Sequence, residues 1–152
     1  MSTNTSPSPS ANTSAAVVPE PLVYGPLTRT DLVRYQGASG DFYAIHHDEP
    51  FARAAGLPAP LALGMLSAGL LATWATDWLG VDAVRRYRVR FAAQVFPGDT
   101  LTCTGQVARE YEQDGEARLD LELTCSTQSG AVAVQGWATF VAGRSPKPEE
   151  QA

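Results

Sequence analysis

The sequence predicts an α+β domain in which an antiparallel β-sheet curls around one long central helix. Residues 62–79 read as a helix that is apolar nearly all round, with no charged residue before Asp77. From residue 83 onward the chain alternates apolar and polar positions in successive runs separated by turn signals. A helix with no polar face must be covered, and the strands that follow it are the available cover.

Residues 1–19 are nearly all Ser, Thr, Asn, Pro and Ala, too poor in apolar surface to offset the entropy of ordering. They are expected to form a disordered tail, and they lack the basic and apolar regions of a secretory signal. The domain is expected over residues 20–144, with a short flexible Pro/Glu-rich tail at 145–152. Thr28-Arg29-Thr30-Asp31 spells a capping box, so a helix carrying Leu32, Val33 and Tyr35 starts there and stops near Gly37 and Gly40. A second short helix is expected from about Glu49 to Ala55, closing at Gly56, before Pro58 and Pro60 hold the chain extended. In the long helix Leu63, Met65, Leu66, Leu70, Leu71, Trp74 and Trp78 supply bulk, and small residues fill the other faces.

The first strand region, Ala83 to Val95, sets Tyr87, Val89 and Phe91 on one side and Arg86, Arg88 and Arg90 on the other. After a turn at Pro97-Gly98-Asp99, Leu101, Cys103, Gly105 and Val107 share a face. Leu119, Leu121, Leu123 and Cys125 form the matching face of the next strand, and a last strand from Ala131 to Val141 holds Trp137 and Phe140. A three-residue loop at Gln113-Asp114-Gly115 sets Val107 opposite Leu121, Gly105 opposite Leu123 and Cys103 opposite Cys125. Two adjacent, buried and reduced thiols are the expectation.

With 152 residues the chain fits a single core. Its net charge of -5 argues against nucleic acid, which needs a basic footprint, and against anionic lipid. No apolar run is long enough to cross a bilayer. Two cysteines make neither a disulfide scaffold nor a metal site, so a reducing, cytoplasmic location is expected. Sheet edges of this kind tend to pair, which makes a dimer the default.

The chemistry concentrates in Gly40-Asp41-Phe42-Tyr43-Ala44-Ile45-His46-His47-Asp48, which holds both histidines of the chain. A carboxylate and an imidazole in one turn can share a water, one group taking a proton while the other returns one. The plain alternative for Asp41 and His46 is a polar surface loop with Asp48 as a helix cap. No metal is expected, because these ligands are too local to converge on an ion and no distant histidine completes a shell. Ser39 and Ser67 lack a nucleophile elbow. Gly64, at the start of the long helix, offers backbone N–H groups and the helix dipole to a developing oxyanion, or else serves close packing. Arg86, Arg88 and Arg90 read as a solvated strand face or as a phosphate docking site.

Taken in order, these residues resemble the MaoC-like dehydratase/hydratase family, the (R)-specific enoyl-thioester hydratases of the hotdog superfamily. The resemblance runs from Leu27 to about Gly143. Leu27-Thr28-Arg29-Thr30-Asp31-Leu32, Ser39 to Asp48, Ala54-Ala55-Gly56-Leu57, Leu63-Gly64-Met65-Leu66, Arg90-Phe91 and Val95 to Leu101 carry it. It implies a hotdog fold working as a dimer and a hydro-lyase reaction. Water is added to a trans-2-enoyl thioester, or removed from the (R)-3-hydroxyacyl thioester, with no cofactor. By the same resemblance Asp41 and His46 are catalytic, the Gly64 N–H binds the thioester oxygen, and Tyr43, Leu63 and Met65 sit at the substrate. The implied substrate is an acyl-CoA or acyl-carrier-protein thioester, fatty or steroid.

The chain departs from the family pattern at three places. Tyr43-Ala44 replaces the usual Asn-Pro, Leu63 replaces a usual His, and Ala72 stands where some members carry a serine. Tyr43-Ala44 with His46-His47-Asp48 also looks like catalytic subunits of heteromeric hydratases. A heterodimer with a second hotdog subunit therefore stands beside a homodimer. Two other readings remain: a non-catalytic or partner-dependent subunit, and a hotdog thioesterase.

Overall fold

A computed structural model describes residues 17–143. Residues 1–16 of the expected tail, and all of the expected tail at 145–152, lie outside them. In chain order the elements are β1 (Leu22–Tyr24), α1 (Arg29–Ser39), a 3-10 turn (Ala44–His46), α2 (Glu49–Ala54) and α3 (Gly64–Leu79). A second 3-10 turn (Val81–Ala83) then leads to β2 (Val84–Phe91), β3 (Leu101–Gln113), β4 (Glu116–Thr127) and β5 (Val132–Val141). The strands form one sheet in the order β1-β3-β4-β5-β2, antiparallel at every pairing. Helix α3 lies against its inner face, which is the hotdog arrangement of an α+β domain.

The core is built where sheet and helix meet. Leu119, Leu121, Leu123 and Cys125 of β4 point inward with Val134, Ala138 and Phe140 of β5, against Leu71, Trp74 and Ala75 of α3. Each fully buried Leu contributes roughly 1.5–3 kcal/mol from apolar burial. Two strand glycines set how closely the layers approach. A Cβ on Gly105 would stand 2.6 Å from Leu123 Cδ2 and 3.0 Å from Trp74 Cζ3, and one on Gly136 would stand 3.2 Å from Leu71 Cδ2. At Gly105 a side chain would collide with its neighbours.

The expected capping box is present. The Thr28 hydroxyl accepts from the Asp31 N–H, the Asp31 carboxylate accepts from the Thr28 N–H, and α1 ends at Gly40 in the left-handed region. The Thr28 hydroxyl also donates to the Asp31 carboxylate, and this bond, with that from the Thr28 N–H, holds the Asp31 carboxyl below its ordinary pKa. Helix α2 begins at Asp48, whose carboxylate accepts from the Phe51 N–H.

Four expectations need correction. Helix α3 begins at Gly64, not residue 62, and it buries one face only, through Ser67, Ala68, Leu71, Trp74, Ala75 and Leu79. Its opposite side, with Met65, Gly69 and Thr73, is exposed in the single chain because one sheet covers only one face. The β3–β4 loop has two residues: Gln113 pairs with Glu116, and Asp114 (φ 55°) and Gly115 (φ 75°) both occupy the left-handed region. That is the turn an Asp-Gly pair favours, because its twist matches the strands. A bulge between Val107 and Arg109 absorbs the missing residue, so the expected partners Val107–Leu121, Gly105–Leu123 and Cys103–Cys125 do face each other. Finally, β2 ends at Phe91 and residues 92–95 leave the ladder. Strand β1, paired with β3, has only three residues and is too short to show alternation.

Cys103 and Cys125 are fully buried and unbridged. Their shared hydrogen bond and their burial push the Cys103 thiol far above its usual range.

Candidate functional site

Helix α1 delivers the chain to the site. Gly40 (φ 73°) reverses it, and the Asp41 carboxylate accepts from the Tyr43 N–H (3.2 Å through Oδ1), an Asx turn that fixes one carboxylate oxygen. The 3-10 turn then carries His46 round to face Asp41, with His46 Nε2 lying 3.7 Å from Asp41 Oδ2. That separation is too long for a direct bond and suits one water held at ~2.8 Å from each. The Asp41 side chain is half exposed and that of His46 is 11% exposed, so solvent reaches the pair from the aspartate side.

The tautomer of His46 follows from its other nitrogen. Nδ1 lies 2.6 Å from the Leu61 carbonyl oxygen, which can only accept, so Nδ1 carries a proton. In the neutral ring the lone pair is then on Nε2, toward Asp41. The Leu61 N–H in turn donates to the Ile45 carbonyl at 3.0 Å. Two opposed hydrogen bonds thus tie the 3-10 turn to the segment that enters α3.

Three residues beyond Leu61 stands Gly64, the first residue of α3. The helix start has Leu63 as N-cap and no side-chain cap, so its first N–H groups retain the positive end of the helix dipole. A cavity of about 340 Å³ opens here, lined by Leu61, Gly64, Ser67, Phe91, Val95 and Val134 among others. A Cβ on Gly64 would stand 2.9 Å from the Phe91 ring. Close packing and access to the helix N-terminus are therefore both properties of this glycine.

The other expected substrate residues disperse. Tyr43 is exposed and stacks edge-on with His46 and Phe51, at centroid distances of 6.3 and 5.6 Å. Met65 is exposed and Leu63 is buried in the core, and neither lines the cavity. Arg86, Arg88 and Arg109 line a different depression beside Trp137, and Arg88 lies over the Trp137 ring. Among the described residues no group of three or more His, Cys, Asp or Glu could hold a metal ion. Arg29 of α1 ion-pairs with Glu49 of α2 across the turn, and its hydrogen bond lowers the Glu49 pKa.

Sequence reading missed two contributors. One is the Leu61 carbonyl, for which a main-chain atom leaves no signal. The other is Gln36, which is buried and donates from its amide to the Asp41 carbonyl (3.0 Å) and to His47 Nδ1 (3.1 Å). Its signal was present: a polar residue four positions after Leu32, on the one buried stripe of α1.

Set beside known proteins, residues 13–131 match the MaoC like domain family, and the chain belongs to that family. Over 100 residues it is 34% identical to Enoyl-CoA hydratase ChsH3 of Mycobacterium tuberculosis, a match covering 64% of this chain and 32% of that protein. Over 93 residues it is 32% identical to the 3-oxo-4,17-pregnadiene-20-carboxyl-CoA hydratase beta subunit of the same organism, covering 60% of this chain and 70% of that one. The chain thus spans about a third of ChsH3. Among solved structures, the (R)-hydratase of A. caviae involved in PHA biosynthesis superposes with a TM-score of 0.72 at 24% identity, covering 85% of this chain and 96% of that one. The ChsH1-ChsH2 complex of Mycobacterium tuberculosis gives 0.71 at 23%, covering 85% and 98%. At such identities these two structures share the fold.

Proposed function

We propose that this chain is an (R)-specific hydro-lyase, adding water to a trans-2-enoyl thioester or removing it from the 3-hydroxyacyl thioester. The observation that carries this reading is the facing of His46 Nε2 and Asp41 Oδ2 at 3.7 Å, with His46 tied to Leu61, which lines the apolar cavity at the uncapped start of α3. Held between the two groups, a water gives a proton to His46 Nε2 while its oxygen bonds to C3. The C2=C3 electron pair moves toward the thioester oxygen, where the N–H groups at Gly64 stabilise the negative charge. The proton then returns to C2 from the Asp41–His46 pair on the face the water attacked, and the enolate collapses to the saturated thioester. The Leu61 carbonyl favours His46 as the base, because it keeps the Nδ1 proton in place and the lone pair on Nε2.

The names of the relatives support coenzyme A thioesters, one of them steroidal, as the substrate class. Loss of enoyl-thioester absorbance when the protein is added to crotonyl-CoA and longer or steroidal enoyl-CoA thioesters tests the reaction. Release of free thiol instead indicates a thioesterase.

A second reading concerns assembly. The uncovered side of α3, with Met65 57% exposed, favours a hotdog partner, identical or not, packed along it. A related structure is itself a two-component complex. Activity that appears only on mixing with a second hotdog subunit establishes a heteromer, and full activity alone excludes the need for one. None of the helices among the described residues is long and apolar enough to cross a membrane.

A further inference from the structure

We infer that Gln36 is a positioning residue for the reaction, clamping the turn that carries Asp41 and His46. The inference rests on the hydratase reading above, but the clamp itself is a matter of hydrogen bonds. Gln36 lies on the buried stripe of α1, four residues after Leu32, and is 2% exposed. An apolar side chain would satisfy that stripe without desolvating an amide, which costs free energy unless every polar atom is met. The NH2 group of the Gln36 amide is met by the active-site turn. Its Nε2 lies 3.0 Å from the Asp41 carbonyl oxygen, 3.1 Å from His47 Nδ1 and 3.5 Å from the Tyr43 carbonyl oxygen.

The assignment of these atoms is forced. Two of the three partners are carbonyl oxygens, which only accept, so the nitrogen of the amide must face them. With the NH2 group placed there, His47 Nδ1 must accept as well, and the His47 ring carries its proton on Nε2. The two N–H bonds of Gln36 therefore span the turn, one at the main chain of Asp41 itself and one at His47, directly after His46.

The turn needs such a clamp because apolar contact supplies little. Residues Asp41, Phe42, Tyr43 and His47 are exposed, and Ala44, Ile45 and His46 are only partly buried. With the Asp41 main chain free to shift, the carboxylate loses its setting relative to Nε2, and misplacement on the order of 1 Å can cost on the order of 100-fold in rate. Gln36 touches neither substrate nor reacting atoms, so its effect belongs in kcat.

The test uses Gln36→Met, which roughly keeps the volume of the side chain and removes both donors, and Gln36→Glu, which leaves at most one. Both are assayed in the full chain with an enoyl-CoA that wild type hydrates, beside a melting curve. The expected result is kcat lower by about 10–100-fold with KM little changed. A folded variant that keeps wild-type kcat overturns the inference. Nitrogen-15 NMR of the histidine rings in wild type supplies the second arm, independent of activity and of whether the variants fold. His47 is expected as the Nε2–H tautomer with Nδ1 accepting a hydrogen bond. A proton found on His47 Nδ1 in the neutral ring overturns the clamp. Should wild type hydrate no enoyl thioester while His47 shows the expected tautomer, the reaction fails and the clamp stands.

Discussion

The turn from Gly40 to Asp48 and the centre of the β3–β4 pair are held by opposite means. In the sheet, Leu121, Leu123, Cys103 and Cys125 are buried to within about 1% exposure and packed on Leu71 and Trp74. In the turn, position comes from hydrogen bonds: Tyr43 N–H to Asp41, His46 to the Leu61 carbonyl, and Gln36 to Asp41 and His47. Packing supplies most of the stability, and directional bonds supply a geometry that water can still reach. Stability and activity are therefore expected to separate by region.

The sharpest break of that separation lies in the turn. Asp41→Asn and His46→Ala are expected to lower the hydration rate by about 10²–10⁴-fold, with the melting temperature barely moved in the first and the cost in the second limited to the bond to Leu61, about 1 kcal/mol. A large loss of stability in either variant would make the turn part of the core. In the sheet the balance reverses. Leu123→Ala is expected to cost about 2–5 kcal/mol of unfolding free energy, and Gly105→Ala about 1–3 kcal/mol through collision with Leu123 and Trp74. Denaturant titration measures both, and the remaining folded protein should turn over at the wild-type rate.

Smaller effects refine the contrast. Thr28→Ala removes one half of the capping box at the far end of α1 and is expected to cost about 1 kcal/mol, with activity retained. Cys103 and Cys125 should react with a thiol reagent only as fast as the protein unfolds; rapid labelling of the native chain contradicts their burial.

The smallest effect is electrostatic. Hydrogen bonds from Arg85, with help from Arg118, pull the Glu116 carboxyl from its ordinary 4.5 down to about 2. Between those values the unfolded chain binds a proton that the folded chain refuses, so this contribution is present above about pH 4.5 and is lost as pH falls toward 2. Glu116→Gln should flatten that part of the pH–stability curve, modestly, since solvent screens the exposed pair.

The legible parts of the fold were those with a local chemical signature. Thr28 to Asp31 announced a cap, Gly56 followed by Pro58 and Pro60 marked the end of α2, and alternation placed Leu119 to Cys125 on one face. Asp114-Gly115 announced a hairpin, but its two-residue form was hidden because the bulge near Ala108 restores the register that a longer loop would give. Helix α3 looked wrapped on all sides because sequence records apolarity, not what covers it. In the site, side chains with titratable groups stood out in the sequence and their supports did not. The Leu61 carbonyl belongs to every residue type and leaves no signal, whereas Gln36 was marked only by its place four residues after Leu32 on the buried stripe of α1. The resemblance placed Tyr43, Leu63 and Met65 at the substrate, and no local signal in the sequence marks Phe91, Ser67 and Val134, which folding brings to the cavity at the start of α3.

One measurement bears most directly on the central claim that Asp41 and His46 activate a single water. Purified protein is incubated with a trans-2-enoyl-CoA in water enriched in oxygen-18, and the product is analysed for mass and for configuration at C3. One heavy oxygen at C3 of an (R)-3-hydroxyacyl-CoA, formed by wild type and lost in both Asp41→Asn and His46→Ala, is the predicted result. An (S) product, or undiminished formation by either folded variant, would contradict it.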